Sequence, residues 1–221
     1  MAARDRLGEE HGAVLLCALM VTMLLAALGG ALAVLVASET MTSANYRTAH
    51  ETFYAADTGI DFVAAELRQL GSWTAPLLAP PGNTTSVADD GATTPRAPDG
   101  TTLDLAQLTR AVQADSETRF GAFGANPDTP VWRLYAHAAL DRLLPSGAPA
   151  SPAYVVVWVA DDVEDGDGDA ERDANGVIMM RSAAFGLRSG RRAIEATLAR
   201  TTGVGEGTEA PVRLISWREV R

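Results

Sequence analysis

Hydrophobic and polar positions change rhythm three times along the chain. From Ala13 to Ala37 there are 25 residues without a charge. As a helix this run is about 37 Å long, enough to cross a hydrocarbon core of about 30 Å with some tilt. After Ser38-Glu39 the pattern turns amphipathic. Tyr46, Ala49, Phe53, Ala56, Ile60, Val63, Leu67 and Leu70 recur at alternating steps of three and four. That is the stripe of a helix with one buried face. No proline interrupts positions 13 to 70, so the spacing predicts one helix of about 87 Å, ending at Gly71-Ser72. Gly59 lies inside it, at a helix cost of about 1 kcal/mol relative to alanine. Two partners would satisfy the stripe: a second copy in a coiled-coil stalk, or the chain's own downstream domain. With only about four heptads and alanine at two stripe positions, the chain's own domain is the favoured partner.

Beyond residue 70 the pattern breaks up. Positions 71–102 are rich in Pro, Gly, Thr, Ala and Asp and predict irregular chain. Asn83-Thr84-Thr85 matches a glycosylation acceptor by chance composition alone. Leu103 to Phe120 predicts a helix with Leu103, Leu105, Leu108, Ala111 and Val112 near one face. "NPDTP" at 126–130 is a turn. Val131 to Leu140 reads as strand before short helix, with Trp132, Tyr135 and His137 as core and surface residues. Tyr154 to Ala160, "YVVVWVA", is the clearest strand. Val177–Ala183, Arg191–Arg200 and Val212–Trp217 predict three more. In Arg191–Arg200 the alternation puts Arg192, Ile194, Ala196 and Leu198 on the core face. Successive strands with turn-like links predict an antiparallel sheet. The fold class expected is therefore α+β, a long N-terminal helix packed on a C-terminal antiparallel sheet. The expected divisions are 1–12 (leader), 13–38 (membrane half), 39–70 (amphipathic half), 71–130 (variable segment) and 131–221 (sheet domain).

Charge and composition narrow the function. The net charge is −10, which argues against nucleic acid as a partner. The single cysteine, Cys17, lies inside the apolar run, so no disulfide forms within the sequence. Three scattered histidines leave little for a His-based zinc site or triad. No nucleophile elbow, phosphate loop or dinucleotide fingerprint is present. The expectation is a protein that is not an enzyme.

The entry to the apolar run, "EEHGAVLLC" at 9–17, decides its fate. A cleaved secretory signal has an apolar core of about 7–15 residues; this one is longer, although Ala31-Leu32-Ala33 mimics a peptidase site. A lipoprotein signal needs a small residue before its cysteine, and Leu16 stands there. Arg4 and Arg6 precede the run and only Arg47 closely follows it, which predicts a cytoplasmic N-terminus.

A charged leader, Gly12, a long apolar helix and then "YRTAHETFYAADTGIDFVAAELRQL" resemble the N-terminal region of type IV pilin-like proteins. The segment "FYAADTGIDFVAAEL" carries much of the likeness. The similarity covers about 60 residues and is greatest to the minor-pilin group called PilX, with the type II secretion tip pseudopilins second. The resemblance implies cleavage by prepilin peptidase between Gly12 and Ala13. It implies residence in the bacterial inner membrane, with the C-terminal domain outside the cytoplasm. The partners it implies are the lipid bilayer, other pilins or minor pilins, and an inner-membrane assembly platform. Two departures stand out. Major pilins carry Glu at the fifth mature position; here it is Cys17, as in tip-located members. The leader has Glu9-Glu10-His11 where basic residues are common. The function expected is a minor pilin that initiates or caps a type IV pilus. The alternatives are a pseudopilin at a secretion tip and a membrane-tethered binding domain.

Two charged stretches remain. Asp161 to Gly176 holds eight acids and one Arg. Asp165, Asp167 and Asp169 have the spacing of calcium-loop positions one, three and five, but Ala170 and Gly176 replace the Gly and Glu of an EF-hand. A solvated hairpin loop is the simpler reading; a looser calcium site of Asp165, Asp167, Asp169 and Asp173 is the sharper one. In the last 41 residues eight Arg oppose four Glu, with Arg188, Arg191 and Arg192 close together. Charge that blunts a strand edge is the simpler account; a patch for an anionic partner is the other.

Overall fold

The computed structural model describes residues 3–78, 87–88, 94–122, 127–145, 147, 151–200 and 212–220, with side chains from Gly12 onward. The Asn83 acceptor pattern and the leader side chains lie outside these residues. The chain divides into two compact units, residues 1–47 and 48–221.

Helix α1 (Ala3–Gln69) contains both the apolar run and the amphipathic stripe. In the first unit every large apolar side chain from Val14 to Val36 is between 54% and 71% exposed. The Oγ1 of Thr22 donates to the Leu19 carbonyl at 2.9 Å, and that of Thr40 to Val36 at 2.8 Å. Those hydroxyls therefore ask nothing of the surroundings, as an apolar medium requires. The helix is long and apolar enough to cross a membrane.

In the second unit α1 continues from Thr48, and its stripe is buried. Ala56, Ile60, Val63 and Leu67 are each no more than 3% exposed, with Ala55 and Ala64 beside them. Tyr46, placed on the stripe by spacing, is exposed and belongs to the first unit. The helix ends against specific partners. Trp73 Nε1 donates to the Leu67 carbonyl at 2.8 Å, and Arg200 donates to the carbonyls of Leu70 and, at 2.9 Å, Gly71. The Arg200 guanidinium also stacks 4.4 Å over the Trp73 ring. The last carbonyls of a helix have no partner within it, and a cation beside them is favourable.

The stripe packs on a five-stranded antiparallel sheet of order β1-β2-β3-β4-β5, a plain meander. The strands are β1 (Arg133–Ala139), β2 (Ala153–Asp161), β3 (Val177–Gly186), β4 (Arg191–Arg200) and β5 (Val212–Val220). The pattern of β1 stops at Ala139, and Leu140–Leu143 forms one helical turn, α4; another single turn, α2 (Thr74–Leu77), follows α1. Val155, Val157 and Val159 of β2, Ile178, Met180 and Ala184 of β3, and Ile194, Ala196 and Leu198 of β4 face α1. The predicted core face of β4 is thus the face that meets the helix, apart from half-buried Arg192 at its start.

Across β1–β4 the opposite face of the sheet is buried too, whereas β5 is largely exposed. Helix α3 (Leu105–Phe120) lies over it, starting two residues later than the pattern predicts. Leu103, Leu105 and Val112 join Tyr154, Val156, Trp158 and Met179 in a second core, while Ala111 is exposed. Trp158 Nε1 donates to Thr109 Oγ1 at 2.8 Å across this layer. Buried charges here are matched: Glu195 meets Arg119 of α3 at 3.2 Å and Arg218 of β5 at 2.7 Å, and Arg181 meets Asp115 at 2.5 Å. Two-sided cover explains why β2 carries no polar residue between Tyr154 and Ala160.

Candidate functional sites

Two features are candidates: the apolar half of α1, and the acidic loop between β2 and β3. In the first, Gly12 and Ala13 are both helical and exposed, and nothing lies within 4 Å of where a Gly12 side chain would stand. Cys17 is an exposed free thiol on the same helix. Gly29 and Gly30 likewise have open space around them. What the described residues of this half offer is an exposed apolar surface, from Val14 to Val36.

The acidic loop runs from Asp162 to Gly176. Its backbone turns by alternating Asp with glycines in the left-handed region, Gly166 (φ 65°) and Gly168 (φ 78°). The carboxylates hold the loop together from within. Asp165 Oδ2 accepts from Ala174 N at 2.7 Å, Asp167 Oδ1 from Asp169 N at 2.8 Å, and Asp169 Oδ1 from Glu171 N at 3.1 Å. Asp162 accepts from Glu164 N and from Asn175 Nδ2, and Asp173 Oδ1 from Gly176 N at 2.7 Å. The loop is anchored outside itself as well. Gly168 N donates to Asp128 at 2.8 Å, Arg133 pairs with Glu171, and Asp173 exchanges hydrogen bonds with Thr74. Seven acids therefore fold into an ordered loop.

Within it the structure groups Asp161, Asp165 and Asp167, whose carboxylate oxygens all lie within 4.8 Å of one another. Asp169 and Asp173, which the spacing adds to Asp165 and Asp167, are outside that group. Asp161 is the last residue of β2, pairs with Ile178, and points to the α1 side of the sheet, where it is 2% exposed. Its Oδ1 has no hydrogen-bond partner. Burial first, then the charges of Asp165, Asp162 and Asp173, push its carboxyl up to about 8. Asp173 is also raised, by its own burial, against donation from Gly176 and Val177. Sequence reasoning missed Asp161 because spacing counts residues along a loop. A strand end that points inward is set by parity with Val155, Val157 and Val159, and that parity was readable.

The arginines near the β3–β4 turn do not form a free patch. Arg192 pairs with Glu219 at 3.0 Å, and Arg191 stacks 5.4 Å over Phe185. Arg188 is held at a positive φ of 55° in the turn. Trp132, Tyr135 and His137 are buried; His137 Nδ1 lies 2.8 Å from the Tyr154 hydroxyl, a core hydrogen bond. Comparison with known proteins returns no matching family model, no matching curated protein and no matching solved structure.

Proposed function

We propose that the chain is a membrane-anchored minor pilin or pilin-like subunit that initiates or caps a type IV pilus filament. The observation that carries this reading is the division of labour along α1. One helix presents an uncharged, mostly apolar, exposed surface over Val14–Val36, then buries a three-four stripe on an antiparallel sheet. A helix of this kind is stored in a bilayer and, in a filament, packs against identical or related helices. Its function is assembly, without chemistry on a substrate. The bilayer proposed is the bacterial inner membrane, with the sheet domain outside the cytoplasm, and the processing enzyme is prepilin peptidase acting after Gly12. The other partners are pilins or minor pilins and the inner-membrane assembly platform.

Cys17 supports the tip over the shaft. At the fifth position after Gly12 a carboxylate can neutralise a neighbouring subunit's terminal amine in lipid; a thiol supplies no such charge. A subunit without it adds poorly below another and is suited to be the first one in.

The test is the N-terminal sequence of the protein purified from membranes of cells that carry a prepilin peptidase. A start at Ala13, lost when the peptidase is deleted, is the expected result. A start at Met1 or just after Ala33 would sink the processing step and the pilin reading with it.

A further inference from the structure

We infer that Asp161, Asp165 and Asp167 form a binding site for a hard divalent cation, calcium, at the junction of β2 and the acidic loop. Three carboxylate oxygens within 4.8 Å of one another can share one calcium ion, whose ligand sphere is about 4.6–5.2 Å across. All three donors are hard oxygens, with no sulfur or imidazole, a set suited to calcium over transition metals. Loop carbonyls and water complete a calcium sphere easily, because calcium tolerates irregular geometry that magnesium does not.

The independent observation is how the fold treats Asp161. Elsewhere the domain answers a buried charge with an opposite one: Glu195, 6% exposed, has two arginines, and buried Arg181 has Asp115. Asp161 is more buried than Glu195, yet its Oδ1 is unpartnered and the charges that act on it are Asp165, Asp162 and Asp173, all of its own sign. Its one donor is the backbone of Asp162, and a buried carboxylate with an orphaned oxygen needs a proton, a further donor or a cation. The side chain is aimed into the group, since its oxygen is one of the three. Arg172 Nε lies 4.0 Å from Asp167 Oδ2, on an exposed side chain. The ion would pin loop 162–176 to the end of β2, and through Asp173 to Thr74 just beyond α1.

The experiment uses the full chain in detergent, freed of metal with a chelator and titrated with calcium or magnesium chloride. Thermal unfolding is followed by circular dichroism and binding by calorimetry. A Kd of about 0.1–1 mM, as in extracellular calcium modules, predicts a rise in Tm of roughly 3–10 °C at about 10 mM calcium. Magnesium at the same concentration should give less than half that rise. Asp161→Asn keeps the shape and removes the buried charge. It should unfold no earlier than the parent without calcium, and lose the calcium-dependent rise. Should Asp161→Asn not fold, the exposed-loop variants Asp165→Asn and Asp167→Asn decide, each losing most of the rise. Asp169→Asn, outside the group, should keep it. Absence of both heat and shift in the parent overturns the site. So does a rise that persists in the Asp165→Asn/Asp167→Asn double variant. An equal response to magnesium overturns the assignment to calcium.

Discussion

Gly59 of α1 and Ser182 of β3 meet so closely that a β-carbon on Gly59 would stand 2.4 Å from the Ser182 Oγ, and 2.7 Å from Val155 Cγ1. The glycine is there because helix and sheet touch backbone to side chain at this point. Gly59→Ala gains about 1 kcal/mol of helix propensity but overpacks the contact, for a net loss of about 1–3 kcal/mol. Urea unfolding of the full chain in detergent, followed by tryptophan fluorescence, measures it. The Ser182 Oγ has no hydrogen-bond partner, so Ser182→Ala should be neutral or slightly stabilising. Combined with Gly59→Ala it should recover part of the loss, giving a non-additive cycle. A Gly59→Ala chain as stable as the parent would mean the contact is looser than described.

Glu195 reads as doubly insured. Arg119 and Arg218 approach it from α3 and from β5, both partly exposed, while Glu195 is buried. Either Arg→Ala change alone leaves one partner and should cost about 1 kcal/mol or less. The double change strands a buried carboxylate and should cost about 3–5 kcal/mol, well above the sum. Additive losses in the same unfolding assay would show the two contacts to be independent.

Helix α3 starts on a single side-chain bond. The Asp104 carboxylate accepts from Gln107 N at 2.9 Å with the extended backbone of an N-cap. Asp104→Ala should cost about 1 kcal/mol, whereas Asp104→Ser or Asp104→Asn should cost a few tenths. Because α3 covers one face of the sheet, the loss should register in global unfolding and not only as fraying.

If the apolar half of α1 is the anchor, charge at its centre should release the chain. Each arginine at mid-helix costs about 2.5–3.5 kcal/mol in place of a slightly favourable leucine. The double change Leu25→Arg/Leu28→Arg should move the chain from the carbonate-resistant membrane pellet to the supernatant. Full retention of that variant would mean that another segment holds it.

Every strand was readable to within a few residues, β2 from its β-branched run Val155–Val157 and β4 from the alternation of Ile194, Ala196 and Leu198. The stripe Ala56–Ile60–Val63–Leu67 named the right helix face because one side of α1 alone is covered. Three things escaped. The second core under α3 follows from β2 lacking any polar alternation between Tyr154 and Ala160, a sign of burial on both faces that spacing along α3 did not convey. Gly59 looked like a tolerated propensity cost, since close approach depends on Ser182 and Val155, 123 and 96 residues away. The grouping of Asp161 with Asp165 and Asp167 depends on two left-handed glycines that fold the loop back on its own strand, which counting by residue does not show.

The hydrogen bond from Trp217 Nε1 to Asp57 Oδ1, 3.1 Å long, joins positions 160 residues apart. On a growing chain the face of α1 around Ile60 and Val63 emerges long before the β4 residues Ile194–Leu198 that complete the core beneath it. At about 5–20 residues per second that interval is roughly 7–27 s. Until that core is complete the nascent chain displays a second apolar surface besides the run at Val14–Val36. Timing, more than final stability, is where such a chain is most exposed to mistakes. A pause in synthesis placed between residues 70 and 190 should raise aggregation, while the same pause after residue 200 should not.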